Sequence, residues 1–177
     1  LQKKFNIKPV SFYNIGGILN KTTISGDGLI TARDLGPGMC LIDKWIRSKT
    51  NKKYDKNGNL AKLGKVNKKI LNKYWNIFQS SDRKRISYDI KDFDISLAKK
   101  LSLKDGAATL TLNTAKCLIF DFKFINQNLD AFKEKKILCG GGRKNKFLVN
   151  IIKSSNKNVK LIDDYGVDGD FVESQAF

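Results

Sequence analysis

Three glycine turns mark where this chain could do chemistry. They are Asn14-Ile15-Gly16-Gly17, Asp34-Leu35-Gly36-Pro37-Gly38 and Cys139-Gly140-Gly141-Gly142-Arg143-Lys144-Asn145. Each follows a short apolar run. Without a Cβ, backbone N–H groups approach a phosphate or a flat ring closely. Three such turns around one cleft would make a nucleotide site; one alone would mean little. The first could wrap a transferred phosphate in backbone amides, though an ordinary tight hairpin fits the same residues. In the second, Pro37 suits the first turn of a helix. That helix would aim its positive end at an anion, and Asp34 could hold Mg²⁺ through water; a plain helix-entry turn is the alternative. In the third, bare backbone at Gly140, Gly141 and Gly142 could pack on an adenine ring or admit a ribose. It lacks the Gly-x-Gly-x-x-Gly spacing of a dinucleotide fold.

Other reactive groups are scarce. The chain has no His, which excludes His-based catalysis and leaves carboxylate, Lys or Tyr as any general base. Cys40, Cys117 and Cys139 form no paired spacing, so they read as reduced, cytosolic and buried rather than as disulfides or zinc ligands. Asp55-Lys56-Asn57-Gly58 has the look of a calcium loop but lacks the closing Glu, and reads as a turn. Asp163, Asp164, Asp168, Asp170 and Glu173 read as charges at helix starts. Glu173 falls one helical turn beyond Asp170 and could face a cleft.

Positioning these groups requires a sheet with helices. Val10–Asn14, Ile18–Ile24 and Leu29–Arg33 are separated by glycine turns and read as a β-meander. Pro37–Arg47 reads as a helix with Leu41, Ile42, Trp45 and Ile46 on one face. Ala61–Phe78 reads as one amphipathic helix striped by Leu63, Val66, Ile70 and Trp75, and Asp92–Leu101 as a short helix. Leu103–Ile125 is the strongest helical run. Ile137–Cys139 is a buried strand, followed by a helix at Asn145–Ser154, a strand at Val159–Ile162 and a last helix from Asp170. The order βββ, helices, then βαβα predicts an α/β fold with a mixed sheet.

The chain has 177 residues, enough for one well-buried core or a lobe of something larger. It begins at Leu1 rather than Met and stops within an apparent helix, so truncation at both ends is expected. No apolar run approaches the ~20 residues that span a bilayer. The net charge is +17, but only five of the 34 basic residues are Arg (Arg33, Arg47, Arg83, Arg85, Arg143). The lysines are spread out with no RNA-binding aromatic motif among them, so the charge reads as compositional bias and specific nucleic-acid binding is not expected. Any DNA binding should be weak, sequence-indifferent and lost with added salt. A salt-titrated assay showing strong preference for one sequence at physiological ionic strength would instead favour a basic nucleic-acid-binding domain.

Taken together, the motifs resemble the 1,6-anhydro-N-acetylmuramic acid kinase family. The matching stretches run in family order over nearly the whole chain. They are Asn14-Ile15-Gly16-Gly17-Ile18 with Asn20; Asp34 with Gly36-Pro37-Gly38; Leu41-Ile42-Asp43 with Trp45; and Tyr54-Asp55 with Gly58, Ala61 and Gly64. Further along come Asp105-Gly106-Ala107-Ala108-Thr109-Leu110-Thr111 with Thr114-Ala115, the Cys139–Gly142 turn with Asn145, and Gly166-Val167-Asp168-Gly169-Asp170 with Glu173, Ala176 and Phe177. The resemblance implies a ribonuclease-H-like, actin-like ATPase lobe, shared with sugar kinases and heat-shock ATPases. Residues 1–177 would be its single C-terminal nucleotide-binding lobe.

The family uses ATP and water to open the anhydro bridge while phosphorylating the sugar, in cytoplasmic recycling of bacterial cell wall. By resemblance, Asn14, Gly16 and Gly17 form the second phosphate loop, and Asp34, Gly36 and Gly38 line the same pocket with Mg²⁺. Gly140, Gly141, Gly142 and Asn145 meet the nucleoside, and Glu173 touches the sugar. The first phosphate loop and the water-activating Asp belong upstream of Asn14 in the family. That general-base Asp is expected before Leu1, so no catalytic residue is assigned within these residues. The implied partners are anhydro-N-acetylmuramic acid, the other lobe and a second copy in a homodimer. A non-catalytic actin-like ATP-binding module is the rival reading. The chain departs from the family at Leu35 and Met39, where Thr and Asn are usual.

Overall fold

The computed structural model describes residues 8–80, 87–125 and 134–169. Strands β1 (Val10–Ile15), β2 (Ile18–Ile24) and β3 (Ile30–Pro37) form the expected antiparallel meander. Helices α1 (Cys40–Lys49), α2 (Asn59–Lys62, a single turn), α3 (Lys68–Ser80) and α4 (Leu103–Ile125) follow. The chain then returns to the sheet as β4 (Lys135–Cys139), α5 (Lys146–Ser155) and β5 (Val159–Leu161).

The sheet order is β3-β2-β1-β4-β5. β1 pairs antiparallel with β2 and parallel with β4, and β4 pairs parallel with β5. Parallel pairing needs crossovers, and the helices supply them. Ile137, Leu138 and Cys139 are all buried because helices or turns cover both faces there, which is why β4 reads as a continuous apolar run.

Two apolar clusters fix the helices that flank the glycine turns. Cys117, Leu118 and Phe122 of α4 pack on Tyr13, Ile15, Leu19, Leu35 and Leu138 of the sheet. The earlier half of α4 packs through Ala107 and Leu110 on Leu41, Ile42, Trp45 and Ile46 of α1. The expected apolar face of α1 is therefore observed. Trp45 Nε1 also donates to the Leu103 carbonyl at 2.9 Å. A buried polar knot ties α4 to the sheet: Tyr13 donates to Asp121 at 3.0 Å, and Lys21 lies 3.3 Å from the same carboxylate.

Three local expectations change. Pro37 is the last residue of β3, not the first turn of a helix, and α1 begins at Cys40. The single helix expected over Ala61–Phe78 is two, interrupted between Lys62 and Lys68. Side chains distant in sequence satisfy the break: Lys65 N–H donates to Asp105 at 2.7 Å and Asn67 N–H to Thr109 at 3.0 Å. Asn67 then opens α3 by accepting from Ile70 N–H. In place of a helix over Asp92–Leu101 stand two 3₁₀ turns, Ile90–Asp92 and Ser96–Ala98. The helix expected from Asp170 lies outside the described residues. Cys40, Cys117 and Cys139 are buried thiols outside any disulfide. No helix among the described residues is long and apolar enough to cross a membrane.

Candidate functional site

A pocket of about 490 Å³ lies where two of the three glycine turns meet α1. Ile15, Gly16 and Gly17 line it from the β1–β2 turn, Met39 and Asp43 from α1 and its approach, and Tyr54 to Asn57 from the loop before α2. Gly141, Gly142, Lys144 and Asn145 close it from the turn after β4. Its volume falls in the ordinary range for small-ligand sites.

The β1–β2 turn and α1 are one unit. Gly38 N–H donates to the Gly17 carbonyl at 3.0 Å, Met39 N–H to Gly16 at 2.8 Å and Cys40 N–H to Gly17 at 3.2 Å. The hairpin carbonyls therefore cap the start of α1, and those three amides are spent within the protein. Gly38 is glycine because a Cβ there would run into the Gly16 carbonyl and the backbone of Ile18. Gly38 backs the β1–β2 turn and Gly36 packs on Phe78 and Cys117; neither lines the pocket.

The third turn divides by position. Gly140 has φ +77°, and a Cβ there would strike Asn14 and the backbone of Ile15. A Cβ on Gly142 would strike Ile15. Gly141 has nothing within 4 Å of where a Cβ would stand, so that position is open. Arg143 anchors the turn from below, with Nε 2.7 Å and Nη2 3.1 Å from the Asp163 carboxylate and Nη1 donating to the Gly140 carbonyl. This two-point pairing holds a planar guanidinium rigidly. Asn145 is the N-cap of α5, its Oδ1 accepting from Leu148 N–H at 3.0 Å.

Asp34 stands apart. It does not line the pocket, and its Oδ2 accepts from Tyr88 N–H at 2.7 Å. Among the described residues, no group of three or more Asp, Glu, Cys or His side chains is arranged to hold a metal. Glu173 lies outside the described residues, as does Leu1, the residue before which the general-base Asp is expected. Met39, a family departure, puts an apolar side chain on the pocket wall, whereas Leu35 is buried in the core.

Two acids line the pocket wall: Asp55, which the sequence placed in a turn, and Asp43, to which it assigned no chemistry. Asp55 is buried and structural: its two oxygens accept from Leu60 and Ala61 N–H, both at 2.9 Å, capping α2. Asp43 has no such partners at Oδ1. The available signal was an acid set inside the apolar run Leu41-Ile42-Asp43-Lys44-Trp45-Ile46. Burial raises the Asp43 pKa to about 6; Arg47 pulls it down and Asp55 pushes it up. A carboxyl with a raised folded-state pKa costs stability as pH climbs from its ordinary range to the raised value. Asp43→Asn should therefore raise the melting temperature of the unliganded protein above about pH 6 and leave it unchanged near pH 4. Melting curves across that range check this; equal shifts at both ends would refute it.

The mixed five-stranded sheet with its helices is an α/β fold of the actin-like ATPase type, with the pocket at the ends of β1 and β4. The family model described as anhydro-N-acetylmuramic acid kinase matches residues 4–177. A relative from Pelagibacter ubique bearing that name is 44% identical over 96% of this chain. Relatives of the same name from Rhizobium etli and Zymomonas mobilis are 35% and 34% identical over 95% and 96% of the chain. The chain belongs to the anhydro-N-acetylmuramic acid kinase family. It spans about half the length of these curated relatives, from 45% to 47%.

Proposed function

We propose that residues 1–177 are the C-terminal, nucleotide-binding lobe of an anhydro-N-acetylmuramic acid kinase. In the complete enzyme, ATP phosphorylates the sugar while water opens its 1,6-anhydro ring, a step in peptidoglycan recycling in the cytoplasm. The observation that carries this reading is the pocket itself, where Gly16 and Gly17 of the hairpin face Gly141, Gly142 and Asn145 of the β4 turn.

In this reading the hairpin end takes the phosphates and the β4 turn takes the nucleoside. Lys56 and Lys144 on the wall add positive charge for an anionic ligand. Phosphoryl transfer depends mostly on positioning and charge neutralisation, and this lobe supplies the positioning. The hairpin cannot shift without α1, because three hydrogen bonds join them. Mg²⁺ would arrive with the phosphates and water, the usual arrangement for that ion. The water-activating carboxylate, placed before Leu1 in this reading, and Glu173's contact with the sugar belong to the closed, two-lobed enzyme, with or without a second copy.

The test is direct. A polypeptide joining this chain to the half that its relatives have in addition is incubated with the anhydro-sugar, ATP and Mg²⁺. ADP and sugar phosphate should appear together in equal amounts. ATP binding without any sugar phosphate would favour the non-catalytic ATP-binding module.

A further inference from the structure

Two polar atoms at this pocket are left unanswered. Asp43 Oδ1 is a buried acceptor and Asn145 Nδ2 a buried donor, and neither has a hydrogen-bond partner among the described residues. Asn145 is 3% exposed, and its orientation is fixed because Oδ1 caps α5; the unpaired atom is therefore the amide nitrogen. Buried polar atoms are ordinarily paired, and an exception beside a pocket is a place where a ligand can supply the partner in place of water. Asp55, on the same wall, shows the contrast, since both of its oxygens are satisfied.

The missing partner must donate to a carboxylate and accept from an amide. ATP carries hydrogen-bond donors only on the adenine amine and the ribose 2′ and 3′ hydroxyls. A hydroxyl both donates and accepts, so a vicinal diol answers both atoms at once. Position favours the sugar over the base. Met39 is tied to the hairpin at Gly16, and Asp43 lies one helical turn further, about 6 Å along the axis at 1.5 Å per residue. That step fits the reach from the phosphates to the ribose and falls short of the adenine amine.

We infer that Asp43 and Asn145 clamp the ribose diol of the nucleotide, Asp43 accepting from one hydroxyl and Asn145 donating to the other, so that the site selects ribonucleotides. The inference rests on the nucleotide reading above.

Calorimetric titration of the protein with ATP, 2′-deoxy-ATP, 3′-deoxy-ATP, inosine triphosphate and tripolyphosphate tests it. ATP should bind at least about tenfold more tightly than the deoxy form that lacks the hydroxyl held by Asp43, the effect of one lost hydrogen bond to a charged group, and about two- to tenfold more tightly than the other, which loses a neutral one. Inosine triphosphate should bind like ATP. Asp43→Asn should weaken ATP to the level of the deoxy form that lacks the hydroxyl Asp43 holds, and should not weaken tripolyphosphate. Asn145→Ser, which can keep the cap on α5 and withdraws the donor amide, should remove the preference over the deoxy form that lacks the hydroxyl Asn145 holds. Equal affinity of the unaltered protein for ATP and both deoxy forms overturns the clamp, whatever the variants do. A loss confined to inosine triphosphate also overturns it and moves Asp43 to the base. Failure of ATP and tripolyphosphate alike to bind would remove the nucleotide reading itself.

Discussion

A protein carrying Gly141→Val is expected to melt where the unaltered protein melts and to lose ATP binding. The position is open, with nothing within 4 Å of the new Cβ and no left-handed backbone to strain. Replacing glycine at such a site changes stability by no more than about 1 kcal/mol. The added methyl groups project into the space assigned to the nucleoside, so affinity should fall at least about 100-fold, the scale of a clash that cannot relax. Gly140→Val is the control. There a Cβ meets Asn14 and Ile15 at a φ of +77°, and destabilisation of about 3 kcal/mol or more is expected. Calorimetry and thermal melts on both variants separate the two effects. Unchanged ATP affinity in Gly141→Val would take the turn out of the site.

The 177-residue chain alone is expected to give no measurable sugar phosphate, even where it binds ATP. It spans about half the length of its relatives, and the acids on its pocket wall are an α2 cap and a buried carboxyl. A missing general base typically costs about 10²- to 10⁴-fold, and half the positioning surface costs more. Supplying the remaining half, in one chain or as a separate fragment, should recover turnover. Product formed by the lone chain, and abolished by changing Asp34 or Glu173, would place the base within these residues rather than before Leu1 and end the half-enzyme reading.

Much of this architecture was legible because local chemistry and global fold agree. Apolar runs ended by glycine marked β1, β2 and β4, and the stripe Leu41, Ile42, Trp45, Ile46 marked α1. The break after Lys62 was not legible, since Val66 and Ile70 continue the helical period across it. What ends the helix is Asp105 and Thr109 accepting amides from about forty residues away, and no local pattern encodes that. The glycines were legible as a set but not by role. Neighbours in sequence, Gly140 and Gly141, differ wholly in what surrounds them. Asp34 was legible as an acid beside a glycine turn, but not the acceptance by its Oδ2 from the Tyr88 amide far along the chain. Asp43 was hidden inside a core-facing helix, where a charge is easily read as an exception to the stripe.

The placing of β1 also governs how the chain comes off the ribosome. The central strand finds one neighbour at once, through the β1–β2 hairpin, but its other neighbour is β4, with Val10 opposite Lys135. Until β4 has emerged, β1 is an edge strand with open N–H and C=O groups. Long-range parallel pairing of this kind is slow, and exposed edges invite intermolecular pairing meanwhile. Nascent chains stalled before β4 are thus the species a cell must shield, and translation speed over residues 16–139 sets how long that exposure lasts.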